Sequence, residues 1–198
     1  PEVCPVCQSA TEVTESESSG TKTLHCTNTH CPAKQLKKFG RFVSKEGINI
    51  DGLSEQTIQK FFNLGWVREY ADLFHLNNHA SELRTMEGFG DKSVSKLLTA
   101  IEKARDVEAH RLLFALNIPL IGRDICNRLL SAYQIADLFH TATEATTEDV
   151  FATIAGIGPE KSASFVRWMK DKDNYSMLQQ LLVELNISQS SSAPTGNS

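Results

Sequence analysis

Apolar side chains return at intervals of three and four along most of this chain. Ile58, Phe61 and Phe62 form one such triplet, Val94, Leu97 and Leu98 a second, and Cys126, Leu129 and Leu130 a third. In a fourth, Phe165 and Val166 keep the face and Ser162 takes the first slot. Spacing of i, i+3, i+4 gathers side chains on one face of a helix. A short bend precedes each: "DGLSEQTIQKFF" (51–62), "EGFGDKSVSKLL" (87–98), "PLIGRDICNRLL" (119–130) and "AGIGPEKSASFV" (155–166). Aligned without gaps, their fourth positions are Ser54, Gly90, Gly122 and Gly158. Asp, Glu and Ser follow the bends, where a first helical turn favours them. Gly65 stands where a helix C-terminus accepts glycine. The run 94–118 predicts one or two helices linking the halves.

The four segments form a period. Asp51 to Pro119 and Glu87 to Ala155 are each 68 positions apart. The pentapeptide "ADLFH" lies between the members of each pair, at Ala71–His75 and Ala136–His140. The repeated object is therefore a pair of helix–bend–helix units joined by an "ADLFH" helix. The fold class expected is mainly α.

Composition divides the chain into three. Residues 1–32 hold four of the five cysteines and the polar stretch "TEVTESESSGTKT"; residues 33–186 read as short helices; residues 187–198, "ISQSSSAPTGNS", read as a flexible linker. Forty per cent of residues are apolar, enough to build a core, and the net charge is −4. On its own this acidic balance argues against a nucleic-acid binder, since such proteins usually carry a basic excess. No apolar stretch approaches the ~20 residues of a membrane span, and the N-terminus carries no secretory pattern. A reducing, cytoplasmic setting is the expectation, in which cysteines hold metal or stay free.

The bends reopen the question of charge. Glycine permits a tight turn, and a helix that starts there leaves N–H groups unpaired beneath a partial positive charge. Such an amide socket suits phosphate and needs no net positive charge. The candidate residues are Gly88 and Gly90 with Lys92, Gly122 with Arg123, and Gly156 and Gly158 with Lys161. Lys96, Arg128 and Arg167 stand nearby. A single Gly-x-Gly bend is equally an ordinary helix cap; recurrence in phase favours the socket. The first bend, with Ser54, and the third, with Leu120 in place of the leading glycine, are the ones open to a purely structural role. Contacts of this kind read the sugar–phosphate backbone and not the bases.

The cysteines run Cys4-x2-Cys7, then 18 residues, then Cys26-x4-Cys31. Two close pairs across a loop suit four thiolates on one tetrahedral Zn²⁺, a closed, structural site. A redox pair is the rival, but the βαβ setting it favours is absent. His25 and His30 flank the second pair and are read as solvent-facing or supporting groups. Cys126 fills an apolar slot and is read as packing. The segment "AKQLKKFGRFVSK" (33–45) carries five cations and no acid over an apolar face of Leu36, Phe39, Phe42 and Val43. It is a solvated or a phosphate-facing helix.

This order of motifs, "CPVC", "CTNTHCPAK", "IDGLSE", "EGFGDKS", "NIPLIGRDI" and "IAGIGPEKSA", resembles the C-terminal half of bacterial NAD-dependent DNA ligases. The resemblance implies a zinc finger over 1–32 and a tandem helix-hairpin-helix domain of four hairpins over 33–186. Cys4, Cys7, Cys26 and Cys31 would be the zinc ligands, and the bends around Gly90, Gly122 and Gly158 would contact nicked double-stranded DNA. It further implies an adenylation domain and an oligonucleotide-binding barrel before Pro1, a BRCT domain beyond the linker, and a monomer. NAD and Mg²⁺ would serve the complete enzyme in DNA replication and repair. The K-x-D-G motif of nucleotidyl transfer is absent, since the one "DG", Asp51-Gly52, has no lysine two before the aspartate. No catalytic residue is expected here. The alternative is a hairpin-based DNA-binding or protein-interaction module of another repair protein, such as an excision nuclease subunit.

Overall fold

The computed structural model describes residues 1–17 and 19–189. It is mainly helical, with a four-cysteine cluster near the N-terminus.

The first segment has almost nothing apolar to bury. Strands β1 (Thr11–Glu15) and β2 (Lys22–Cys26) pair antiparallel, Val13 opposite Leu24, with both of these side chains exposed. Cys4 and Cys31 are the buried side chains of this region. What draws the segment together is the sulfur cluster, not a hydrophobic core.

Helix α1 (Pro32–Phe42) opens with proline in its first turn, where the missing N–H is no loss. Its apolar face is the expected one: Phe39, Phe42 and Val43 are buried. The Phe42 ring stacks on Tyr70 at 4.2 Å, and Phe39 meets Phe62 edge-on at 5.0 Å. The basic segment is thus fastened to the helical body. Helix α2 (Glu55–Asn63) ends as Gly65 predicted. Gly65, at φ 73°, donates to the Phe62 carbonyl and Trp66 to that of Phe61, which closes the last turn.

A 3₁₀ helix (Tyr70–His79), α3 (Ala80–Thr85) and α4 (Asp91–Ala104) follow. The run 94–118 is not continuous helix. Strand β3 (Asp106–Glu108) interrupts it before α5 (Ala109–Ala115). Helices α6 (Arg123–Ala132), α7 (Ile135–Glu144), α8 (Pro159–Lys170) and α9 (Lys172–Glu184) complete the body, and β4 (Asn186–Ser188) closes it. The helical triplets all point inward. Ile58, Phe61, Val94, Leu97, Cys126, Leu129, Phe165 and Val166 belong to one continuous core. Ser162 is 1% exposed in its apolar slot. Its hydroxyl donates to the Glu148 carbonyl at 2.7 Å and accepts the Phe151 N–H at 3.0 Å, so neither group is stranded.

Two expectations are corrected. The "ADLFH" copies do not share one helix type: Ala71–His75 is 3₁₀, whereas Ala136–His140 is α-helical. The Phe74 carbonyl accepts from Arg105 at 2.8 Å, and the Asp72 carboxylate accepts the Arg68 and Glu69 N–H groups at 2.9 Å. Those tertiary and capping bonds suit the tighter winding. Residues 187–189, expected in a linker, are part of the fold. Ile187 pairs with Val107 in the parallel β3–β4 ladder. The Gln189 amide donates to the Leu130 and Tyr133 carbonyls and accepts the Ile135 N–H. The remaining linker residues, 190–198, lie outside the described residues.

Candidate nucleic-acid interface and metal centre

The four bends share one geometry. In each, an N–H three residues on closes the turn: Leu53 to Ile50, Phe89 to Met86, Ile121 to Ile118, and Ile157 to Ile154. The third turn residue has positive φ every time: Gly52, Gly88, Leu120 and Gly156, at 91°, 87°, 66° and 83°. That is the type II pattern, which selects glycine at this place. The residue after it faces inward, with Leu53, Ile121 and Ile157 buried and Phe89 packed on the core. The next is the helix N-cap in extended backbone: Ser54, Gly90, Gly122 and Gly158.

The caps then divide. Ser54 accepts the Thr57 N–H at 3.2 Å, so the first helix satisfies part of its own terminus. Helices α4, α6 and α8 have no side-chain cap. Their first ladder bonds come from Val94, Cys126 and Ser162. Ahead of these, the N–H groups of Asp91, Lys92 and Ser93, of Arg123, Asp124 and Ile125, and of Glu160 and Lys161 find no acceptor among the described residues. Gly88, Gly90, Lys92, Gly122, Arg123, Gly156 and Gly158 are exposed and Lys161 is half-buried, so the bends face solvent.

Charge around these termini is sorted. Acids in the first turn would repel an anion, but Asp91 lies 3.4 Å from Arg84 and Asp124 is bonded by Arg128 at 2.8 Å, while Glu160 at the start of α8 has no cation partner among the described residues. Arg128 also donates to the Ala155 carbonyl at 2.8 Å, and its guanidinium fills the space a Cβ on Gly156 would need. It therefore braces the third hairpin against the fourth and is not a free cation. Arg167 is likewise engaged, clasping Glu148 through two bonds of 2.9 and 2.6 Å, which hold the Glu148 carboxyl below its ordinary range. Lys92, Lys96, Arg123 and Lys161 have no carboxylate partner among the described residues. In the basic segment, Lys34 donates to the Cys26 carbonyl and Arg41 to Asn117. Arg84 and the bracing role of Arg128 were not read from the sequence, because no periodic signal marks a contact between separate hairpins.

The four cysteines converge. Cys4 and Cys31 sulfurs are 3.9 Å apart, Cys7 and Cys26 3.4 Å, and all four ligand atoms lie within 4.8 Å of one another. Thiolates about 2.3 Å from a tetrahedral zinc stand roughly 3.8 Å from each other, so the cage has the right size. Hydrogen bonds from the Ser9 hydroxyl and N–H hold the Cys7 thiol down at about 6, which makes thiolate available at neutral pH. Loss of water pushes Cys26 up to about 11. His25 and His30 are exposed outside the cage, and His25 meets Thr23. Cys126 is 1% exposed, with its thiol pushed up to about 12 by burial, as a packing residue requires. Of the other four histidines, which are scattered, His75, His79 and His110 each face a single glutamate, and His79 also stacks on Trp66.

No helix among the described residues is long and apolar enough to cross a membrane. No protein-family model matches the chain. Curated relatives match along almost all of it. A protein named DNA ligase from Ruminiclostridium cellulolyticum is 39% identical over 187 residues, covering 94% of this chain and 28% of the relative. One of the same name from Lachnoclostridium phytofermentans is 34% identical over 193 residues, covering 98% and 29%. Another, from Rhodopseudomonas palustris, is 36% identical over 200 residues, covering 93% and 28%. The chain thus spans less than a third of the length of the curated relatives it matches.

Proposed function

This chain is related along nearly its whole length to one part of the DNA ligases, and from that premise we propose that it is the DNA-gripping, non-catalytic portion of an NAD-dependent ligase. The complete enzyme seals nicks in duplex DNA during replication and repair in the bacterial cytoplasm. This portion holds the sugar–phosphate backbone through hairpin amides, without reading bases. Adenylation with NAD and Mg²⁺ belongs to other domains of the same polypeptide, and the whole acts as a monomer.

One observation carries the reading. Glycine at Gly90, Gly122 and Gly158 is not demanded by the fold. The backbone there is extended, with φ of −117°, −87° and −84°, which any residue adopts. A Cβ at each would meet nothing within 4 Å. Ser54, in the same place of the first hairpin, shows that a side chain fits and caps the helix. What keeps these three places bare lies outside the chain and approaches the backbone closely. An anion on unpaired amides at a helix start is that kind of visitor, and a phosphate chain supplies several at once.

The four sulfurs supply the ligand set and spacing of a closed structural zinc site, through Cys4, Cys7, Cys26 and Cys31. The metal substitutes for the core that the first segment lacks.

The test is binding of the chain to a nicked duplex across a salt series. Phosphate contacts give log affinity falling linearly with log salt, by about 0.9 per phosphate neutralised. A flat response would refute the proposal. Incubation with labelled NAD and Mg²⁺ is expected to leave no covalent adduct, and a stable protein–AMP band would place catalysis in this portion.

A further inference from the structure

The third bend departs from the other three. Its left-handed turn position holds Leu120 at φ 66°, where the others hold glycine. The remaining described non-glycine residues with positive φ are Gln8, Asn49 and Asn117; asparagine tolerates this region, an aliphatic side chain does not. Nothing inside the molecule compensates, since Leu120 is 61% exposed. Glycine would be cheaper for the fold and leucine worse for solubility, so the residue breaks two local rules at once. A strained outlier on a surface is grounds for seeking a function.

Its position says what that function is. Two residues of backbone span at most about 7 Å, so Leu120 stands within that distance of Gly122 and the open amides of α6. It also lines one open hollow with Pro119, Pro159 and Glu160, the last two being the first residues of α8. The Ser164 hydroxyl donates to the Pro119 carbonyl and ties the bend to that helix. Leu120 therefore lies between two helix starts with unmet donors. Resting on the function proposed above, we infer that Leu120 packs against the deoxyribose next to the phosphate held by the α6 amides. Nucleotides along one strand rise by about 3.4 Å, so a phosphate seated on those amides brings its neighbouring sugar within the reach of a leucine. The ligand is duplex DNA, and the contact is with the apolar sugar face.

The experiment compares Leu120→Gly, Leu120→Ala and Leu120→Met in the chain, reading nicked-duplex affinity across a salt series together with the unfolding midpoint. Leu120→Gly relieves the strained backbone, so its midpoint should equal or exceed that of the parent. Its affinity should fall roughly tenfold, the loss of about one buried aliphatic side chain. The salt slope should not change, because no phosphate contact is lost. Leu120→Ala should bind as weakly as Leu120→Gly, and Leu120→Met should restore most of the affinity. Unchanged binding in a folded Leu120→Gly or Leu120→Ala variant overturns the inference. A parent chain that shows no salt-dependent binding sinks the functional proposal itself, which separates the two failures.

Discussion

Replacing Gly90 by serine separates what the hairpin needs from what its ligand needs. Gly90 has extended backbone, and a Cβ there meets open space. Serine at this place should do what Ser54 does at the first hairpin, accepting the N–H three residues on, here that of Ser93. Exchanging glycine for serine at an N-cap changes stability by only a few tenths of a kcal/mol. The unfolding midpoint should therefore hold or rise slightly. Binding should suffer. The hydroxyl consumes one donor of the socket, and its oxygen stands where a phosphate oxygen would approach. A hydrogen bond to a charged group contributes about 1.5–3 kcal/mol, which at 1.4 kcal/mol per decade is roughly a ten- to hundredfold loss of affinity. If the phosphate is released altogether, the salt slope should also shrink by about 0.9. Fluorescence anisotropy with a labelled nicked duplex at several salt concentrations reads both quantities, and thermal unfolding reads the control. Affinity within twofold of the parent would show that this terminus is no socket. Affinity and stability falling together would show that glycine serves the bend itself.

Three further outcomes are expected. Ser162→Ala strands the buried Phe151 N–H and removes a donor from the part-buried Glu148 carbonyl, and should cost about 1–3 kcal/mol in chemical denaturation; Ser162→Val, which fills the slot as Val94 does, should not recover it. Arg105 donates to Glu184 at 2.6 Å and holds that carboxyl below its ordinary range, with His75 adding a second bond. A depressed carboxyl contributes stability above its unfolded value near pH 4.3 that is lost as pH falls through the lower folded value. Glu184→Gln should therefore lower stability at neutral pH and flatten its decline below about pH 4, as denaturation at stepped pH would show. Cys4→Ser, or a strong chelator, should release the metal held by the four cysteines and loosen residues 1–32. Helical circular dichroism should persist, and its collapse would mean that the cage supports the helical body too.

Much of the helical body was legible because its signals are local. The triplets beginning at Ile58, Val94, Cys126 and Ser162 face the core as their spacing requires, with Phe62, Leu98 and Leu130 half-buried at its edge, and Gly65 closes a helix as its place beyond Asn63 suggested. The cysteine cage was legible for the same reason: two close pairs leave little freedom in how four thiols can meet. The division of labour among hairpins was only half visible. Serine against glycine at the fourth position is in the sequence. The sequence does not show that Arg128 is consumed in bracing Ala155, or that Arg84 shields Asp91.

By itself, then, the sequence determined the repeating units, their inward faces, the bends and the sulfur ligands, since each is marked by short motifs, close pairs or triplets of residues a turn or two apart. Only the tertiary structure decided the rest. It wound "ADLFH" as 3₁₀ in one place and α in the other, because Arg105 takes the Phe74 carbonyl across the fold. It drew Ile187 and Gln189 out of the presumed linker, because Val107 and the end of α6 offer them backbone partners. It set Leu120 outward in a strained turn. The first two outcomes hang on groups 31 to 80 residues apart, whose meeting is fixed by the packing of the whole core and leaves no periodic trace along the chain.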